Sequence, residues 1–117
     1  MDGFGHIEAW VDVGPLDGIP RQGARVVATG RGEVAVFRTL DDHVFALDDR
    51  CPHKAGKLSQ GIVHGHSVTC PLHNWRISLR TGEALGEDKG CTPTIPLKLD
   101  AGRIYLLREA VLGRQAA

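Results

Sequence analysis

Apolar and polar positions along this chain fall into short runs, and Gly, Pro and Asp punctuate them in place of long polar stretches. Eight runs predict β-strands: EAWVDV (8–13), ARVVATG (24–30), EVAVFRTL (33–40), HVFALDD (43–49), HSVTC (66–70), WRISLRT (75–81), TIPLKLD (94–100) and RIYLLRE (103–109). Most are rich in Val, Ile, Leu and Thr, so the fold class is all-β. Asp41-Asp42 and Asp100-Ala101-Gly102 carry short-turn chemistry between such runs and predict antiparallel hairpins. In WRISLRTGEA, Trp75, Ile77 and Leu79 alternate with Arg76, Ser78 and Arg80, a period of two that gives one buried face. The closing REAVLGRQAA has the makings of one helical turn followed by a fraying end. No internal repeat or low-complexity segment interrupts the pattern.

At 117 residues and 42% hydrophobic, the chain suits one domain spanning 1–117, with a core at about 7–109 and a tail at 110–117. Lys plus Arg and Asp plus Glu stand at 14 each, so no net field draws it to nucleic acid or an anionic membrane. The opening MDGFGHIEAWVDVG has neither a basic n-region nor an apolar run, and nowhere do eighteen apolar residues follow one another. Three cysteines, Cys51, Cys70 and Cys91, are a sparse and odd set for a disulfide scaffold. A reducing cytoplasm, with thiols available as ligands, is the expected setting.

The chemistry concentrates in CPHKAGKLSQGIVHGHSVTCPLHNW, residues 51–75, which holds two cysteines and four of the six histidines. Two pairs stand out, Cys51-x-His53 and Cys70-x-x-His73, each opening on a Cys-Pro step and separated by sixteen residues. Each pair offers one thiolate and one imidazole. A cluster of two irons bridged by two sulfides needs two further ligands per iron, and a Rieske centre places two Cys on one iron and two His on the other. Each loop would then serve both irons. Two ferric ions, two sulfides and two thiolates are neutral together, so reduction leaves one negative charge, whereas an all-Cys cluster starts at minus two. Imidazole ligation therefore raises the potential, to about −150 to +300 mV against about −400 mV for plant-type ferredoxins. Asn74 follows His73 with no Ser hydroxyl beside it, which points to the low half of that range. The same two Cys and two His also make an ordinary tetrahedral zinc set, and spacing alone does not separate the two.

The matched Pro52 and Pro71 preorganise the two loops. His64 and His66 compete for ligation as a His-x-His step but lack a cysteine of their own, and read as surface or hairpin histidines. Cys91 reads as a buried thiol, Trp75 and Leu72 as core, and His6 and His43 have no partner motif.

The two pairs, with their flanks CPHKAGKLSQG and CPLHNWRISLRTGEA, resemble a Rieske [2Fe–2S] ferredoxin-type domain. From WVDVGPLDGIP to RIYLL the chain further resembles the small subunit of assimilatory NAD(P)H-dependent nitrite reductase, with CPHK, GIVHG, CPLHNW and GEDKGC as the telling stretches. The resemblance implies three stacked antiparallel sheets with two cluster-binding loops at one tip. It implies one [2Fe–2S] cluster per chain on Cys51, His53, Cys70 and His73. It also implies a partner: a nitrite reductase large subunit carrying flavin, siroheme and a further iron–sulfur cluster, which reduces nitrite to ammonium in nitrate assimilation. Ala55 and Lys57 stand where such proteins often have Gly and Pro.

With all four cluster ligands supplied by protein, neither iron keeps an open position, and one centre holds one electron. The expected role is an electron carrier without a substrate site of its own. Lys54, Lys57 and Asn74 are expected as rim contacts around an electron exit at His53 and His73. A stand-alone Rieske ferredoxin for an aromatic-ring oxygenase, a structural zinc module and an empty β-domain used in assembly are the other readings.

Overall fold

The computed structural model describes residues 9–52, 56–72, 74–86 and 89–112. Among these lie nine strands: β1 (Trp10–Pro15), β2 (Gly23–Thr29), β3 (Gly32–Arg38), β4 (Val44–Asp48), β5 (Ile62–His64), β6 (Ser67–Thr69), β7 (Arg76–Ser78), β8 (Leu97–Asp100) and β9 (Arg103–Leu107). They form three antiparallel sheets, ordered β1-β9-β8, β2-β3-β4 and β5-β6-β7.

The run VAVF in β3 explains how the sheets stack. Successive side chains of a strand face opposite ways, so a strand apolar at every position is buried on both faces. Val34 and Val36 pack with Ile19, Ile95, Ile104 and Leu106 on one side, while Ala35 and Phe37 pack with Val63, Val68 and Ile77 on the other. The β2-β3-β4 sheet is thus the middle layer. The segment after the last loop is sewn to it by Ile95 N–H donating to the Ala46 carbonyl and Asp48 N–H donating to that of Pro93.

Both predicted hairpins form. Asp100 pairs with Arg103 across Ala101-Gly102, whose φ values of 51° and 78° are those of a two-residue turn matched to strand twist. Asp42 takes the left-handed conformation, φ 65°, in the β3–β4 turn. The 75–81 alternation also holds: Ile77 and Leu79 are buried and Trp75 packs on the same cluster, while Arg76 and Arg80 are exposed.

The structure departs from expectation at several places. β5 was not foreseen, since its three residues sit between Gly61 and Gly65. β8 begins only at Leu97, because Pro96 has no N–H for a ladder, leaving Thr94 in an isolated bridge to Leu47. Cys91 is exposed, because it alternates with Thr92, which turns inward. Arg108–Val111 forms the single helical turn.

Candidate metal centre

β4 delivers the chain to the first loop, and a carboxylate fixes its exit. Asp49, nearly buried, accepts hydrogen bonds from the Ser59 N–H and hydroxyl, both at 2.7 Å, so it caps the short 3-10 turn Leu58–Gln60 on the far side of the loop. Between these anchors the Cys51 N–H donates to the Gly56 carbonyl at 2.7 Å, closing the loop on itself.

The second loop repeats the device between β6 and β7. The Cys70 N–H donates to the Trp75 carbonyl at 2.7 Å, and the Asn74 N–H donates back to the Cys70 carbonyl at 3.1 Å. Asn74 holds φ at 60°, a left-handed conformation that Asn tolerates better than most residues. Both cysteine amides are therefore committed to carbonyls, which removes two donors from the surroundings of the sulfurs.

Gly56 brings the loops together. A Cβ at this position would lie 3.3 Å from Cys70 Sγ and 2.8 Å from Leu72 Cδ1, so the absent side chain is what lets the second loop seat against the first. A third segment closes over them. Its two ends meet at the isolated antiparallel Glu83–Cys91 bridge, and Gly90, at φ 142°, rests on Pro52 and Trp75. Of the GEDKGC stretch, Gly90 is thus the residue set against both loops; Glu87 and Asp88 are outside the described residues.

Of the four predicted ligands, Cys51 and Cys70 are buried thiols, each 1% exposed, within one hydrophobic cluster that includes Leu58, Val68 and Leu79. His53 and His73 lie outside the described residues, as do His6 and Lys54. Two buried thiols from two loops, within one hydrophobic cluster and with Gly56 of the first loop set against Cys70 Sγ of the second, fit one half of a Cys2His2 iron–sulfur site. Lys57, expected as a rim contact, has its ammonium 2.7 Å from Glu33, whose carboxylate raises the Lys57 pKa. Trp75 packs on the core as expected, whereas Leu72, also expected in the core, is exposed in the second loop.

The remaining histidines are sorted by the hairpins. His64 is exposed, whereas His66, in the β5–β6 turn, meets Asp41 and His43 of the β3–β4 turn. No local motif announced that meeting, because Asp41 and His66 are 25 positions apart.

Residues 9–107 match the Rieske-like [2Fe-2S] domain family. The chain belongs to this family. The ferredoxin component of a naphthalene 1,2-dioxygenase/salicylate 5-hydroxylase system from Ralstonia sp. is 33% identical over 106 residues, covering 86% of this chain and 96% of that one. A solved protein named as a nitrite reductase NADPH small subunit superposes with a TM-score of 0.75 at 30% identity, covering 84% of this chain and 97% of its own. The ferredoxin of carbazole 1,9a-dioxygenase from Nocardioides aromaticivorans superposes with a TM-score of 0.76 at 25% identity, covering 85% and 97%. This Rieske domain has a [2Fe–2S] cluster as its cofactor and is an electron-transfer ferredoxin in type. No helix among the described residues is long and apolar enough to cross a membrane.

Proposed function

We propose that this Rieske domain is the electron-transfer small subunit of a cytoplasmic NAD(P)H-dependent nitrite reductase. Its cluster would be held by Cys51 and Cys70 on one iron and His53 and His73 on the other. When bound, the cluster supplies one reversible electron at moderate potential. The chain's own residues shape the rest: Asp49 and Gly56 hold the first loop, Asn74 turns the second, and Gly90 seats the third on Pro52 and Trp75. The observation that supports the finer assignment is the 30% identity to a solved protein named as a nitrite reductase small subunit, across nearly that protein's whole length.

A stand-alone ferredoxin for an aromatic-ring oxygenase is the second reading, favoured by the 33% identity to the Ralstonia ferredoxin component. Either way the chain would work by docking on a larger oxidoreductase. One experiment separates them: the cluster-loaded chain is offered to a siroheme-containing large subunit with NAD(P)H and nitrite, and in parallel to a ring-hydroxylating oxygenase with its reductase. Complex formation with the first and ammonium production that rises with added chain support the proposal. Electron delivery to the oxygenase alone would replace it with the second reading.

A further inference from the structure

The β3–β4 turn and the β5–β6 turn meet at Asp41, His43 and His66, on strand ends opposite those that lead into Cys51 and Cys70. Asp41 Oδ2 lies 3.2 Å from His43 Nδ1 and 3.2 Å from His66 Nε2, and one donor atom from each of the three residues falls within 4.8 Å of the others. An ion about 2.0–2.1 Å from nitrogen and oxygen ligands in tetrahedral array needs donors about 3.3 Å apart. Two edges of such a tetrahedron are already present.

The three groups are held, not merely near. The buried Thr39 hydroxyl donates to Asp41 Oδ1, while Oδ2 faces both rings; the Thr39 N–H donates to the His43 carbonyl at 2.9 Å and the His43 N–H donates to the Thr39 hydroxyl oxygen at 3.0 Å, which locks the turn. Phe45 backs both imidazoles, its ring centroid 6.4 Å from that of His43 and 5.3 Å from that of His66. A cleft of about 460 Å³, lined also by Gln22, Leu40 and His64, opens beside Asp41 and His66 and leaves room there for a further ligand.

We infer that Asp41, His43 and His66 form a binding site for a divalent transition-metal cation of the zinc class, separate from the cluster loops. Two imidazoles and a carboxylate with one open position are a donor set that suits such an ion. The bound ion clamps the middle sheet to the β5-β6-β7 sheet at the end remote from the cluster. One contact opposes it: Arg80 Nη2 donates to His66 Nδ1 at 3.1 Å. Arginine has only donors, so this contact keeps the neutral ring's proton on Nε2, the atom that must ligate. Binding moves that proton to Nδ1 and turns Arg80 away. Arg80→Gln, which offers an acceptor to Nδ1–H, therefore tightens binding.

The test is titration of chelator-treated, cluster-loaded protein with Zn²⁺, following bound zinc, the cluster's visible bands and Tm together. The expected result is one Zn²⁺ per chain with the visible bands unchanged and Tm raised. His43→Gln and His66→Gln each weaken binding at least tenfold, while Arg80→Gln strengthens it severalfold. Absence of saturable zinc binding overturns the inference, and so does binding that survives the His43→Gln/His66→Gln double substitution. Loss of the visible bands in step with zinc uptake also overturns it, since that ion has entered at the cysteines.

Discussion

Gly56 shows how much of the cluster site depends on one missing atom. A methyl group there meets Leu72 Cδ1 at 2.8 Å and Cys70 Sγ at 3.3 Å. Leu72 is a flexible, half-exposed side chain and can yield, whereas the buried Cys70 sulfur is a proposed cluster ligand whose position would set the site. Gly56→Ala is therefore expected to cost only about 1 kcal/mol in urea unfolding yet to alter the cluster's EPR g-values and shorten its lifetime in air. Unchanged spectra would mean that the loops do not seat through this glycine. Asp49 acts a step further out: Asp49→Ala removes the acceptor of both Ser59 bonds and is expected to cost about 1–3 kcal/mol, read as a lower urea midpoint. The Cys51 and Cys70 pair was legible because Cys-Pro steps repeat around it. The Asp41–His43–His66 group was not, because its members come from two turns that only the stacking of sheets brings together.

At the scale of elements, burial on both faces makes β3 the member that ties the layers together. Phe37 is fully buried within the cluster that also contains both cysteines, so Phe37→Ala opens a cavity directly beneath the loops. The expected cost is about 3–5 kcal/mol in equilibrium unfolding, enough to unfold a marginal domain. A loss below about 1 kcal/mol would contradict the sandwich. Most strands were readable because Val, Ile and Leu alternate or run together between turn residues, and WRISLRT even disclosed its buried face. β5 and the start of β8 were not, for different reasons. Three residues between glycines carry too little pattern, and Pro96 ends a ladder that its neighbours would otherwise extend.

Across the whole molecule, charge pairs at the turns link the sheets to acid sensitivity. Asp42 lies between Arg21, at 3.1 Å, and the buried Arg38, at 2.8 Å; hydrogen bonds from these two guanidiniums, Arg21 first, lower its pKa. A carboxylate whose folded pKa is depressed contributes stability that is present above its unfolded value, about 3.9, and is lost as pH falls through the folded one. Stability is thus expected to drop below about pH 4, with a shallower acid limb in Asp42→Asn, as urea melts across that range would record. Asp41 behaves in the same sense, its carboxyl held well below the usual range first by the Thr39 hydroxyl and then by His66 and His43.

The central claim is that two loops, closed by Cys51–Gly56 and Cys70–Trp75 backbone bonds, hold a Rieske cluster through Cys51, His53, Cys70 and His73. It is tested most directly by visible and EPR spectra of anaerobically purified protein before and after dithionite, with iron, sulfide and zinc quantified on the same sample and a redox titration added. The account predicts two irons and two sulfides per chain, a rhombic reduced signal, a midpoint in the low half of about −150 to +300 mV, and loss of all of these in Cys70→Ser. One zinc per chain at the cysteines with no colour, persisting after cluster reconstitution, would contradict it.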